Sequence, residues 1–148
     1  MDVKTDILIW TSLGFSIPIF LYPSLPRYFK LLLSYMTFAS FCFWLTNEPY
    51  GFFHRIDSIM ARVSIVSVIL YKIVFNRKYL FWFLWLTSIM LYCFYMSNVS
   101  SNEKWGSDAH VGYHALAHVF SILAMLVGLN SSLLKISYIG HKALQQSV

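Results

Sequence analysis

Charge is scarce in this chain. Only 11% of its 148 residues are Asp, Glu, Lys or Arg, against about 25% in an ordinary soluble domain. Those residues coat a water-facing surface, and here they would have to cover a chain that is 58% hydrophobic and 19% aromatic. A conventional soluble fold is therefore excluded. A bilayer removes the difficulty, because lipid-facing side chains stay apolar. Cysteine is nearly absent as well. Cys42 and Cys93 both lie inside apolar runs, and no CxxC or CxxH spacing occurs, so the pair reads as small packing residues and not as a disulfide framework. The first apolar run is preceded by mixed charge (Asp2, Lys4, Asp6) and lacks a small-residue cleavage pattern after it, so it is expected to stay as a helix. There is no internal repeat or low-complexity tract, and the length leaves room for one domain, 1–148.

What is present is a series of apolar runs cut by polar or breaker residues. They cover about 7–22, 28–45, 57–75, 79–96 and 109–129, followed by a mildly amphipathic tail, 130–148. A helix needs about 20 apolar residues to cross the hydrocarbon. The runs are continuously apolar, without the alternation of a membrane β-barrel. The expected fold is an all-α, polytopic transmembrane helical bundle of about five spans. Pro18 is expected to kink the first run, and Pro23 and Pro26 to end it.

The net charge of +5 does not imply a nucleic-acid partner, because the basic residues sit singly beside the apolar runs. Five spans place the N-terminus and the 47–56 and 98–108 loops on one side. Arg27, Lys30, Lys72, Arg77, Lys78, Lys135 and Lys142 fall on the other, against Lys4, Arg55, Arg62 and Lys104 on the first. The excess of Lys and Arg on the second side predicts an N-out, C-in topology.

Against this background a few polar residues stand out. The third run opens with His54, Arg55 and Asp57, with Arg62 one turn further in. The fifth carries His110, His114 and His118. Steps of four rotate a helix by only about 40°, so the three share one stripe. A lone membrane histidine is usually an interhelical hydrogen-bonding group. Three on one stripe, with an Asp on another helix at the same membrane side, point to a functional polar site. An i, i+4 histidine pair can chelate one metal ion, and a ligand from another helix would complete a zinc site with an open position. His110 reads as interfacial, near Trp105 and Asp108. Arg55 and Arg62 are placed either to snorkel or to pair with Asp57.

His114-Ala-Leu-Ala-His118-Val-Phe-Ser121 resembles the HxxxHxxS signature on the last helix of a superfamily of membrane zinc hydrolases. Its members are the alkaline ceramidases, the progestin and adiponectin receptors and the GPI-remodelling lipid hydrolases. The resemblance implies His114 and His118 as zinc ligands, Asp57 as the third-helix Asp and Ser40 as the second-helix Ser. Where the family's second-helix His would stand, four residues after Ser40, this chain has Trp44, and His54 is the candidate replacement ligand. The family has seven spans and this chain has room for about five. Removal of two spans between the Asp and His helices preserves their relative direction.

The functional expectation is a zinc-dependent hydrolase acting on a lipid amide or ester, with Asp57 as general base or orienting the water and Ser40 hydrogen-bonding the developing oxyanion. The alternative is a non-catalytic integral membrane subunit of a larger assembly. Haem b between His54 and His114 or His118 is a third reading, set against a general lack of glycine at the helix contacts. The expected partners are the bilayer, a lipid substrate and other membrane proteins.

Overall fold

The computed structural model describes the backbone of residues 3–75 and 77–145, with side chains over 5–74 and 77–129. Six α-helices and no strand occur among the described residues: α1 (Val3–Leu13), α2 (Ile17–Leu21), α3 (Arg27–Thr46), α4 (Phe52–Phe75), α5 (Leu80–Glu103) and α6 (Asp108–Gln145). The protein is an all-α transmembrane bundle. Among the described residues, three segments are long and apolar enough to cross a membrane: α3, α5 and Asp108–Leu129 of α6. The apolar stretch Thr5–Leu21 is shorter. At 24 residues α4 is as long as α5, but it carries Asp57, Arg62 and Lys72 within its apolar stretch.

Local chemistry explains the breaks. The first run is not one kinked helix. A 3₁₀ turn at Gly14–Ser16 separates α1 from α2, and Pro18 sits in the first turn of α2, where its missing N–H costs nothing. The chain then reverses, with the Leu25 N–H donating to the Tyr22 carbonyl at 2.9 Å and Lys30 Nζ donating to the Pro23 carbonyl at 2.6 Å. Asn47 ends α3 in the left-handed region (φ 48°), a conformation asparagine tolerates better than most residues. Ser107 accepts a 3.2 Å bond from the His110 N–H, capping the start of α6.

Two helix ends differ from the sequence expectation. α4 begins at Phe52, five residues before 57, and α5 continues to Glu103, seven beyond 96. Hydropathy marks where a chain leaves the hydrocarbon, whereas a helix ends only where its backbone bonds are interrupted. Polar residues 97–103 therefore remain helical, and the expected 98–108 loop shrinks to 104–107. The backbone of the expected tail continues α6 to Gln145; the side chains of 130–148 lie outside the described residues.

α5 lies along α6, α3 lies along α4, and α1 rests against α3 and α6. α4 meets α6 less extensively, and α4 and α5 scarcely touch. The main core gathers Phe15, Leu33, Val68, Phe83, Met125 and Leu129. A smaller cluster of Leu8, Phe43, Trp44 and Val111 closes the end where α1 and α6 begin and α3 finishes. Glycine does have a place in the packing. A Cβ on Gly128 would lie 3.0 Å from Val68 Cγ1 and 3.1 Å from Phe83 Cε2, so α6 approaches α4 and α5 closely there.

Candidate functional site

The short α3–α4 and α5–α6 connections bring the end of α3, the start of α4, the end of α5 and the start of α6 to one end of the bundle. Trp105 joins the two connections, donating its indole N–H to Asn47 Oδ1 at 3.4 Å. Ser40, His54, Asp57 and the three histidines of α6 all belong to this half of the molecule.

The histidine stripe is real, but its members are held differently. Ring centroids are 5.9 Å apart for His110 and His114, and 4.8 Å apart for His114 and His118. His110 belongs to the turn before α6: its Nδ1 accepts the Gly106 N–H at 3.1 Å. His54 does the same for the turn before α4, accepting the Tyr50 N–H at 3.1 Å while its ring lies over Phe43 at 4.8 Å. A neutral imidazole that accepts at Nδ1 carries its proton on Nε2. In this arrangement His54 and His110 present a donor at Nε2, not a lone pair.

His114 and His118 are set the opposite way. The Ser97 hydroxyl lies 3.0 Å from His114 Nδ1 and 3.4 Å from the His110 carbonyl. The Thr11 hydroxyl lies 2.9 Å from His118 Nδ1 and 3.2 Å from the Leu8 carbonyl. A carbonyl can only accept, and a hydroxyl has one proton to give. Both contacts of each hydroxyl are satisfied only if the hydroxyl donates to the carbonyl and receives Nδ1–H from the ring. Each Nε2 then carries a lone pair. His114 Nε2 is buried and has no partner. Histidines that ligate metals are usually held in this way, with the far ring N–H donated to a second group.

Ser40 and Asp57 come together as their positions in the sequence suggest. The Ser40 hydroxyl lies beside the Asp57 carboxyl and 2.9 Å from the Ser12 hydroxyl, which in turn donates to the Leu8 carbonyl at 2.7 Å. Of the two placements open to Arg55 and Arg62, the ion pair with Asp57 is not formed among the described residues. Asp57 lies in the wall common to two spaces. One is a narrow apolar cavity of about 50 Å³, also bordered by Ser64, His118 and Ser121. The other is an open cleft of about 380 Å³ bordered by His54, Arg62, Ser97, His110 and His114.

Trp44 occupies the position four residues after Ser40. It is 2% exposed, so it fills a core site, and its ring stands edge-on to His114 at a centroid distance of 4.9 Å. It also stacks on Trp105 at 6.4 Å. Its indole nitrogen is buried without a hydrogen-bond partner. No group of three His, Cys, Asp or Glu is close enough to hold a metal ion among the described residues. The site therefore offers two prepared imidazole nitrogens, with an aromatic ring against one of them.

No family model matches the chain, and no curated protein or solved structure matches it. The hydroxyls that orient this site, Thr11, Ser12 and Ser97, are absent from the sequence expectation. Their signal is weak, since serine and threonine are common in membrane helices, where they bond to the preceding turn.

Proposed function

We propose that this protein is a membrane-embedded, zinc-dependent hydrolase of a lipid amide or ester, in a five-span, N-out arrangement. The observation that carries the reading is the His114–His118 pair, with Nδ1 of each ring bonded to a hydroxyl and a buried, unpartnered Nε2 on His114. These two residues would hold the ion through Nε2. When bound, the ion would supply a Lewis acid and lower the pKa of a water from 15.7 to about 7. The chain's own part is to shape the surroundings. Asp57 stands between the His114 and His118 spaces, where a carboxylate is placed to orient a water and accept its proton. The Ser40 hydroxyl beside it would serve a developing oxyanion by turning its proton away from Ser12. The apolar cavity behind Asp57 suits hydrocarbon. Zinc measured in protein purified in neutral detergent, for the wild type and His114→Ala, tests the proposal. About one equivalent in the wild type and loss in the variant are expected; metal-free wild-type protein, after reconstitution with zinc, defeats it.

A second reading has its own observation. Trp44 fills the place of the third imidazole, and an interior held by pairs such as Thr11–His118 and Ser12–Ser40 is what a purely structural bundle needs. The chain would then be a non-catalytic membrane subunit. Native electrophoresis in mild detergent separates the two: a stable larger complex on extraction favours the subunit, and a lone small species argues against it.

A further inference from the structure

We propose that the gap between α4 and α5 is a lateral binding site for a phospholipid, with its phosphate held by Arg62. α4 and α5 are consecutive in the chain yet scarcely touch. The space left between them has two parts. Towards the start of α4 it is the polar cleft, where Ser58 and Arg62 face Tyr95, Asn98 and Ser101 of α5. Deeper in, it becomes the narrow apolar cavity of about 50 Å³, walled by Val68 of α4 and Phe83 and Met90 of α5, with Met36 and Met125 of α3 and α6 behind. Ile65 borders both parts. A polar mouth that runs into an apolar slot between two membrane helices offers a place for a lipid headgroup and for the first few methylenes of a chain.

Arg62 selects the headgroup chemistry. It is exposed and lies ten residues into α4, about 15 Å along the axis from Phe52. It makes no hydrogen bond or ion pair among the described residues. A guanidinium exposed to hydrocarbon is costly within a membrane helix and calls for a polar partner. Helical side chains lean towards the N-terminus, so that of Arg62 runs back towards Ser58 and the polar mouth. There its planar fork matches two phosphate oxygens. Asp57, the acid bordering the same cleft, is buried and lies beside Ser40 on the α3 side, leaving the Arg62 side to the anion. The histidines at the cleft, His54, His110 and His114, are held by Tyr50, Gly106 and Ser97 and do not contend for it.

This inference goes beyond hydrolysis and does not require it. Native mass spectrometry of protein in maltoside micelles, with dioleoyl phosphatidic acid or dioleoylglycerol added, tests it; the two lipids share their chains and differ in the phosphate. One retained phosphatidic acid and no retained diacylglycerol are expected. Arg62→Gln should weaken retention by about tenfold, the loss of one charge-assisted pair. Arg62→Lys should keep part of it, and Arg55→Gln, on the same helix but outside the cleft, should change nothing. Excess inorganic phosphate should not displace the lipid; displacement would assign the site to free phosphate and overturn the lipid. Equal retention of the two lipids by the wild type, equal retention by Arg62→Gln, or equal loss in Arg55→Gln also overturns it. The wild-type lipid comparison decides even if Arg62→Gln does not fold. Thr11→Val, at a residue that borders neither part of the space but holds His118, should lower zinc affinity and keep the lipid, so failure of either proposal is visible separately.

Discussion

At the scale of single residues, the site turns on which ring nitrogens carry protons. Thr11 and Ser97 fix that choice, because each hydroxyl has a carbonyl to donate to and an imidazole to receive from. Thr11→Val keeps the shape and removes the acceptor, leaving the Nδ1–H of His118 buried and unpaired. A loss of stability of about 1–3 kcal/mol is expected, read from denaturant unfolding in detergent. Zinc affinity should fall by about 10–100-fold, read by titration. Unchanged affinity would remove the orienting role of Thr11. Trp44 is the second residue on which the reading depends. Trp44→His would place an imidazole beside His114 and relieve a buried indole N–H that has no partner. The expected outcome is a gain of zinc affinity of at least about tenfold. A variant that folds as judged by circular dichroism but binds no more zinc than the wild type would show that this end of α3 does not face the metal. His114, His118 and Asp57 were legible in the sequence because ionisable groups and their spacing are conspicuous in an apolar chain; Ser40 was named only through the family resemblance. Thr11, Ser12 and Ser97 were not. A short hydroxyl acquires meaning only once another helix packs against it.

At the scale of the helices, composition reveals existence better than extent. All the apolar runs are helical, yet α4 starts before its run and α5 outlasts its own. His54 and Arg55 fit the first turn of α4, while Ser97–Glu103 keep backbone bonds after hydropathy has fallen away. Close approach is less legible still. Gly128 looks like any other small residue in the fifth run, but Val68 and Phe83 stand where its Cβ would be. Gly112, on the same helix, has nothing within 4 Å of such a Cβ. The two positions therefore make a paired test of whether α6 packs as described. Gly128→Ala is expected to cost about 1–3 kcal/mol through overpacking. Gly112→Ala should be neutral or stabilise by up to about 1 kcal/mol, since alanine is the better helix former. Thermal or denaturant unfolding in one detergent checks both, and equal effects at the two sites would contradict the helix contact.

For the whole molecule, orientation decides what the cleft meets. The cleft opens at the end that carries the α3–α4 and α5–α6 connections, so an N-out arrangement exposes it to the outer face and outer leaflet. The opposite end holds Arg27, Lys30, Arg77 and Lys78 around the α2–α3 and α4–α5 turns, and positive residues are retained on the inner side. Lys72 sharpens the contrast. It lies near that end of α4 but is buried, and Nζ reaches the Val127 carbonyl of α6 at 3.3 Å. It therefore ties two helices together and does not act as a freely snorkelling anchor. The orientation thus depends on the turns on either side. In a Cys42→Ala, Cys93→Ala background, Glu48→Cys should react with a membrane-impermeant maleimide on intact cells. Lys78→Cys should react only after permeabilisation. The reverse pattern would invert the topology and open the cleft to the inner leaflet, where phosphatidylserine and phosphatidylinositol supply the anionic headgroups. Labelling at both positions on intact cells would mean that α4 does not cross the membrane, because Glu48 and Lys78 lie just beyond its two ends.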